Sequence, residues 1–381
     1  MSAKTNAAED RLTFFVEWFD AQADLIRRYQ LTYFDRDNTL EMYDCKNRRP
    51  FLKRTEYPSI RQQDLYVGSI VTVYSRQLKI AEYGDVRTRR VCEAQRSRTL
   101  GLVKPASYDH IGVILQRVLA TGLTVGNMQL VKLTQGQAAE FYAEHKGKPF
   151  FEELVGMMSS DVVLAMELVG DMAISKWRDL MGPTNPNQAR GEAPSSLRAQ
   201  FGKDVTNNAV HGSDSAESAA RELAFFFGAG VVFPTTALLN NCTCCLIRPH
   251  AVPQMGEIID VILKEGFEVS AIKMLHLKKH VAEEFLEVYK GVLPEYHDLV
   301  QEMSSGPVVV MEVRQENAVE TFRTCCGPHD PDIARHLRPQ TLRARFGIDR
   351  VKNAVHCTDL PEDGLLECEY FFSIMHGKTE L

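Results

Sequence analysis

The chain has 381 residues, 44% hydrophobic and 25% charged, with a net charge of −6. Single cores stop growing well short of this length, so two or three domains are expected. No run of eighteen apolar residues exists and the first residues, MSAKTNAAEDR, are polar, so neither a transmembrane helix nor a secretory signal is expected, and no membrane or nucleic-acid partner.

Residues 1–95 read as a small β-rich domain. Tyr29 to Tyr43 alternates apolar and polar residues around the turn formers Asp35 to Asn38, which predicts a hairpin. Further strands are expected at Pro50 to Lys53 and Leu65 to Tyr74, with no helix between them. This stretch holds 16 Lys and Arg against 14 Asp and Glu, leaving 28 against 36 for the remainder. A slightly basic module on an acidic body suits an adaptor touching an acidic partner, and an uneven surface without a partner equally well.

From Thr99 strands alternate with helices, which predicts α/β sandwiches. Thr99 to Val103 reads as a strand ending in Lys104-Pro105, and Ile111 to Leu119 as a helix stopped by Gly122. A strand near Leu123 to Leu133, a helix from Gly136 to His145, the segment Phe150 to Met158 and a strand at Val162 to Leu168 follow. The order repeats from Cys244, with Phe267 to Leu277 as strand and Val281 to Tyr289 as helix.

Nine cysteines lack framework spacing, which favours reduced thiols in the cytosol. Cys242, Cys244 and Cys245 match no zinc spacing, and Leu246 and Ile247 beside them point to a buried strand.

Two segments nearly coincide: FGKDVTNNAVHGSDS from Phe201 and FGIDRVKNAVHCTDL from Phe346. His211 and His356 lie 145 residues apart, as do Gly182 and Gly327, and Arg198 and Arg343. So long a period marks a domain duplication rather than a solenoid.

NAVHGSDS, preceded by Arg198 and Phe201 and followed by Glu222, resembles the active-site segment of the nucleoside diphosphate kinase family. Lys104-Pro105, KPFFEEL at 148–154 and RDLMGPTNP at 178–186 extend the resemblance over about 140 residues in order. The layout is similar to the three-part ciliary branch of that family, whose first domain is of the DM-ten type; PFLKRTEYP at 50–58 supports this. The implied architecture is α+β: a pleckstrin-like β domain (1–95) and two ferredoxin-like βαββαβ sandwiches (96–237 and 238–381), the second degenerate.

The resemblance implies a phosphohistidine at His211, an imidazole whose reference pKa of about 6.5 leaves it neutral near pH 7. Glu222 and Ser213 are expected to hold its tautomer. Lys104, Arg178, Arg198 and Thr184 match phosphate contacts, and Asn208 with Lys104 the ribose contacts. Tyr142 lies near the nucleophile. Phe150 is expected to stack on the base, with Leu154 and Val205 on the other side, and one of Phe150 and Phe151 to be core. Magnesium is expected to travel with ATP, GTP and other nucleoside di- and triphosphates, without a protein cage. Ala106 stands where the family has aspartate, and extra residues lie between Pro186 and Arg198.

In the second repeat His356, Asn353, Arg323, Arg343 and Glu367 persist, and Thr358 keeps the hydroxyl. Arg248 replaces Lys104, His329 replaces Thr184 and Arg350 replaces Val205; Glu295 is expected at Phe150's position and Glu287 at Tyr142's, carboxylates that would repel a triphosphate. Little turnover is expected there. The layout further implies tubulin and other axonemal microtubule proteins as partners, and a place in the cytoplasm and cytoskeleton of a cilium or flagellum.

Overall fold

A computed structural model describes residues 11–376, apart from 21, 22, 24 and 96. The polar segment 1–10 lies outside the described residues. Among the described residues no helix is long and apolar enough to cross a membrane.

The N-terminal domain is one antiparallel sheet of β1 (Arg11–Asp20), β2 (Leu25–Phe34), β3 (Thr39–Asp44), β4 (Arg49–Glu56), β5 (Ile70–Val73) and β6 (Arg76–Tyr83), ordered β4-β3-β2-β1-β6-β5 and closed by helix α1 (Val86–Gln95). The expected hairpin is β2–β3: Phe34 pairs with Thr39 across a turn whose Asn38 takes φ 50° and accepts from the Tyr33 hydroxyl at 2.7 Å. Between Leu65 and Tyr74 only Ile70–Val73 is strand, because Gln62–Asp64 forms a 3₁₀ turn and Gly68, at φ 96°, breaks the run. The expectations lacked β1, β6 and α1. In β1 the doubled Phe14-Phe15 hides the alternation: Phe14 is buried, while Phe15 lies under the Arg28 guanidinium. Among its described side chains helix α1 buries Thr88 and Cys92 alone, too little for a visible period.

The first repeat runs β7 (Ser97–Val103), α2 (Ile111–Ala120), β8 (Thr124–Val131), α3 (Gln135–Phe141), α4 (Phe151–Ser160), β9 (Val163–Gly170), α5 (Ala173–Met181), α6 (Pro186–Glu192), α7 (Leu197–Phe201), β10 (Val210–Gly212) and α8 (Ala216–Phe227). The second retraces it as β11 (Cys242–Ile247), α9 (Met255–Lys264), β12 (Glu268–His276), α10 (Lys279–Phe285), α11 (Tyr296–Met303), β13 (Pro307–Arg314), α12 (Ala318–Cys326), α13 (Pro331–Leu337), α14 (Leu342–Phe346), β14 (Val355–Cys357) and α15 (Asp363–Glu369). The expected helix from Gly136 to His145 ends at Phe141, where Tyr142 leaves helical geometry and a 3₁₀ turn, Ala143–His145, follows. Helices α3 and α4 thereby stand between β8 and β9 and wall one side of a cleft.

The two repeats share one eight-stranded antiparallel sheet, ordered β10-β7-β9-β8-β12-β13-β11-β14. Its seam is narrow, with Gln129 of β8 paired to Lys273 of β12. Tyr108 reinforces it: its hydroxyl donates to the Val269 carbonyl at 2.8 Å and accepts from the Val269 N–H at 2.7 Å. Over the seam α2 and α9 cross at glycines. A Cβ on Gly112 would overlap the Asp260 backbone nitrogen, and one on Gly256 that of Gln116. The N-terminal domain, adjacent in sequence to the first repeat, docks on the second. Gln77 Nε2 donates to the Leu277 and Ser304 carbonyls, and the Thr72 hydroxyl reaches Ser304 O at 3.3 Å.

Replacing Gly112 with Leu should force α2 and α9 apart and destabilise the protein by about 1–3 kcal/mol. Equilibrium urea unfolding would measure this, and an unchanged midpoint would show that the glycine contact does not hold the seam.

Candidate active site

In each repeat the residue two before the histidine takes a left-handed backbone: Ala209 at φ 72° and Ala354 at φ 71°. The Val210 N–H bonds to the Asn208 carbonyl at 2.9 Å, closing a tight turn of the strained hand. The Ala209 carbonyl accepts the Lys104 N–H at 2.9 Å, and Ala354 does the same for Arg248. One turn thus sets histidine and cation beside each other, twice.

His211 then pairs along β7, opposite Leu102. Its Nε2 lies 3.1 Å from Glu222 Oε2, which also accepts the Ser213 hydroxyl at 2.7 Å. A carboxylate only accepts, so Nε2 carries the proton and the lone pair is on Nδ1. Among the described residues Nδ1 has no hydrogen-bond partner. The His211 side chain is 19% exposed, into a cavity of about 910 Å³.

The cavity lining brings together Lys104, Tyr142, Phe150, Leu154, Arg178, Thr184, Arg198, Val205 and Asn208 with His211 and Glu222. Ser213 stands behind Glu222, away from the lining, and also accepts the Leu100 N–H at 3.3 Å. Lys104 is buried, its Nζ 3.0 Å from the Thr206 carbonyl. Burial, with Arg198 nearby, holds its pKa down to about 7. Arg198 is oriented by the Gly182 carbonyl at 2.8 Å and the Val210 carbonyl at 3.2 Å, while its buried Nε has no partner; burial lowers it to about 10. Arg178 has no ion-pair partner among the described residues.

Asn208 is locked by Nδ2 on the Thr184 carbonyl at 3.1 Å, which leaves Oδ1 buried without a partner. Phe151 is core, and Phe150, 44% exposed, projects at the mouth. Leu154 does not oppose Phe150 as expected. It lies one turn on in α4, its N–H bonded to the Phe150 carbonyl at 3.0 Å, so these two share one side of the helix, and Val205 lines the same cavity. Tyr142 meets the His211 ring edge-on at 5.6 Å, and its buried hydroxyl has no partner.

His145 and Trp177 escaped the sequence reading. His145 bridges Tyr142 and Phe150, with ring centroids 6.0 and 5.7 Å away. Trp177 Nε1 donates to the His211 carbonyl at 3.2 Å. A Cβ on Gly212 would overlap that indole, whereas the second repeat has Cys357 at the glycine's place and Phe322 at the indole's. No motif flags either residue; only the fold brings them in.

The second site keeps the scaffold and closes. His356 Nε2 meets Glu367 at 2.9 Å and Thr358 bonds the same carboxylate at 2.8 Å, yet the histidine side chain is only 4% exposed. Arg343 repeats Arg198's carbonyl contacts, and Arg248 reaches the Val351 carbonyl at 2.8 Å. Asn353 Nδ2 bonds His329 O and Nδ1, both at 3.2 Å. Arg323 is taken by Asp359, which also accepts the Tyr289 hydroxyl at 2.5 Å. Two expectations need correction. Tyr142's structural counterpart, the cap of α10, is Leu286 and not Glu287. Glu295 does stand where Phe150 does, but it pairs with Arg350 at 2.9 Å, so an ion pair spans the clamp in place of a free repelling carboxylate.

A nucleoside diphosphate kinase family model matches residues 97–231 and again 241–376, and one described as the nucleoside diphosphate kinase 7 N-terminal PH domain matches 6–94. Rat nucleoside diphosphate kinase homolog 7 is 49% identical over 370 residues, covering 96% of this chain and 94% of its own length; the mouse protein is 48% identical over the same extent. The nucleoside diphosphate kinase of Syntrophotalea carbinolica is 48% identical over 132 residues, 34% of this chain and 94% of that protein. Carrying two matches to one family model behind a PH-like domain, this chain belongs to the nucleoside diphosphate kinase family.

Proposed function

We propose that residues 96–237 move the γ-phosphate of a nucleoside triphosphate to a diphosphate through phosphorylated His211. The observation that carries this reading is His211 on the cavity wall with its Nε2 tied to Glu222, which leaves the lone pair on Nδ1. Nδ1 attacks the γ-phosphorus, the bond to the bridging oxygen breaks, and the diphosphate departs. A terminal oxygen of the acceptor diphosphate then takes the phosphoryl group, restoring neutral His211.

Charge spreads over the phosphoryl oxygens in transit, so cations already in place contribute most. Lys104, Arg178 and Arg198 supply them. Glu222 and Ser213 keep the tautomer as the imidazole gains positive character. Phe150, Leu154 and Val205 line the cavity with apolar groups that read no base edge, which favours broad nucleotide tolerance. Magnesium is part of the substrate, carried on the nucleotide phosphates; Asp214 at the cavity is engaged by Ser218 at 2.7 Å, and the cavity carboxylates form no cage among the described residues.

A second reading concerns the other repeat. Its closed clamp and its contact with the N-terminal domain favour a scaffold, and the three-part layout favours an axonemal microtubule setting, with tubulin as partner. Expressing a tagged chain lacking residues 1–95 in ciliated cells should abolish axonemal targeting, and unchanged targeting would discard that domain as the anchor.

Incubating the whole chain with γ-labelled ATP should leave acid-labile label on His211. His211→Ala should lose at least about a thousandfold in phosphate exchange, and His356→Ala should stay close to wild type. Equal losses in the two variants would overturn the ranking of the repeats.

Lys104 gives a pH signature. Bound phosphate favours its ammonium form, while the free protein releases that proton above about 7. ADP affinity should therefore fall as pH rises from about 7 to 9, by up to about tenfold per unit, with proton uptake in titration calorimetry. Lys104→Arg, which cannot deprotonate, should flatten the dependence. Affinity that is level or rises with pH in the wild type would remove Lys104 from the phosphate site.

A further inference from the structure

Seven of the nine cysteines lie in the second repeat and none in the first, although the two share one fold. Strand β11 divides its cysteines between faces. Cys245 joins the core shared with the first repeat, while Cys242 and Cys244 face α15 and join a separate core with Cys368. One potential ligand atom each from Cys242, Glu312 and Cys368 lies within 4.8 Å of the others, and all three residues are buried.

The first repeat shows what this cluster replaces. Strand pairing sets Glu167 opposite Leu100 there and Glu312 opposite Cys244 here, so Glu312 corresponds to Glu167, Cys242 to Arg98 and Cys244 to Leu100. Cys368, one residue past the carboxylate that holds the histidine, corresponds to Leu223. Buried Glu167 is ion-paired by the Arg98 guanidinium. In the second repeat the carboxylate stays, more deeply buried, and the guanidinium is gone. Glu312 accepts the Leu238 N–H at 2.7 Å, the Leu239 N–H at 2.6 Å and the Ser270 hydroxyl, and has no ion-pair partner among the described residues.

Three neutral donors bond this carboxyl group, while buried carboxylates are ordinarily paired with a cation or bound to a metal. The group that replaces arginine is a thiol, with a second thiol in reach. Two sulfurs and one carboxylate oxygen suit a borderline-soft divalent ion, whereas calcium and magnesium want oxygens alone. Zinc–sulfur bonds of about 2.3 Å put tetrahedral ligand atoms roughly 3.8 Å apart, so the observed spread closes with small side-chain rotations.

We propose that Cys242, Glu312 and Cys368 form a structural zinc site, with Cys244 the thiol nearest the fourth position. Two S–H bonds break, their protons leave to solvent, and two Zn–S bonds and one Zn–O bond form without any change of oxidation state. The ion takes over the task of Arg98. It ties β11, β13 and α15 to the linker at Leu238 and Leu239, and α15 carries the Glu367 that holds His356.

The full-length chain, expressed with zinc in the medium and purified under reductant without chelator, should contain about one zinc per chain by mass spectrometry of the metal. Cys368→Leu, which copies the first repeat, and Cys242→Ser should each drop it below about a tenth. Cys242→Arg should lose the metal yet melt near wild type, because it restores the ion pair, while Cys242→Ser melts lower. Protein grown with cobalt(II) should show a thiolate-to-cobalt charge-transfer band that Cys368→Leu abolishes. Wild type without bound zinc, zinc retained in both cysteine variants, or a Cys242–Cys368 disulfide in the alkylated peptide map would each overturn the proposal.

Discussion

Everything at the candidate site depends on a backbone turn held against its preference. With Ala209 at φ 72° the chain reverses between Asn208 and Val210, and the freed Ala209 carbonyl captures the Lys104 N–H at the end of β7. Strain of this kind costs on the order of 1–3 kcal/mol and persists only where the surroundings over-determine it. Here Asn208 is pinned to Thr184, and Val210 and His211 are pinned to β7. The same geometry at Ala354 shows that the strain belongs to the duplicated scaffold, whether or not the site beside it is open.

That shared scaffold lets the repeats serve as each other's control. The histidine–carboxylate–hydroxyl set survives in both, with nearly the same distances. What differs is the ring of groups that would meet a nucleotide. In the first repeat Phe150 and Val205 are exposed and Arg178 has no ion-pair partner among the described residues, while Glu295, Arg350 and Arg323 are spent on ion pairs in the second. The second site is satisfied internally, and a satisfied cation has little left to offer a phosphate.

The repeats differ in their other contacts too. The glycine crossing of α2 and α9 is reciprocal, but Tyr108 has no like-for-like counterpart, and the N-terminal domain contacts the second repeat at Leu277 and Ser304. The second repeat thus carries the contact with the N-terminal domain as well as the closed site.

The sequence by itself determined the duplication, the paired histidines and most of their surroundings, because these rest on short motifs whose residues must be of one chemical type. It also determined the β2–β3 hairpin and the helices with a clear apolar stripe. Only the tertiary structure decided that Leu154 shares a helix side with Phe150, that Leu286 and not Glu287 stands in for Tyr142, and that Glu295 is neutralised by Arg350. A helix places residue i+4 over residue i, and a one-residue difference in loop length shifts a correspondence that spacing alone carries straight through. The same holds for Cys242, whose partners Glu312 and Cys368 are remote in sequence. Their meeting is a product of strand order and helix packing, which no local pattern encodes.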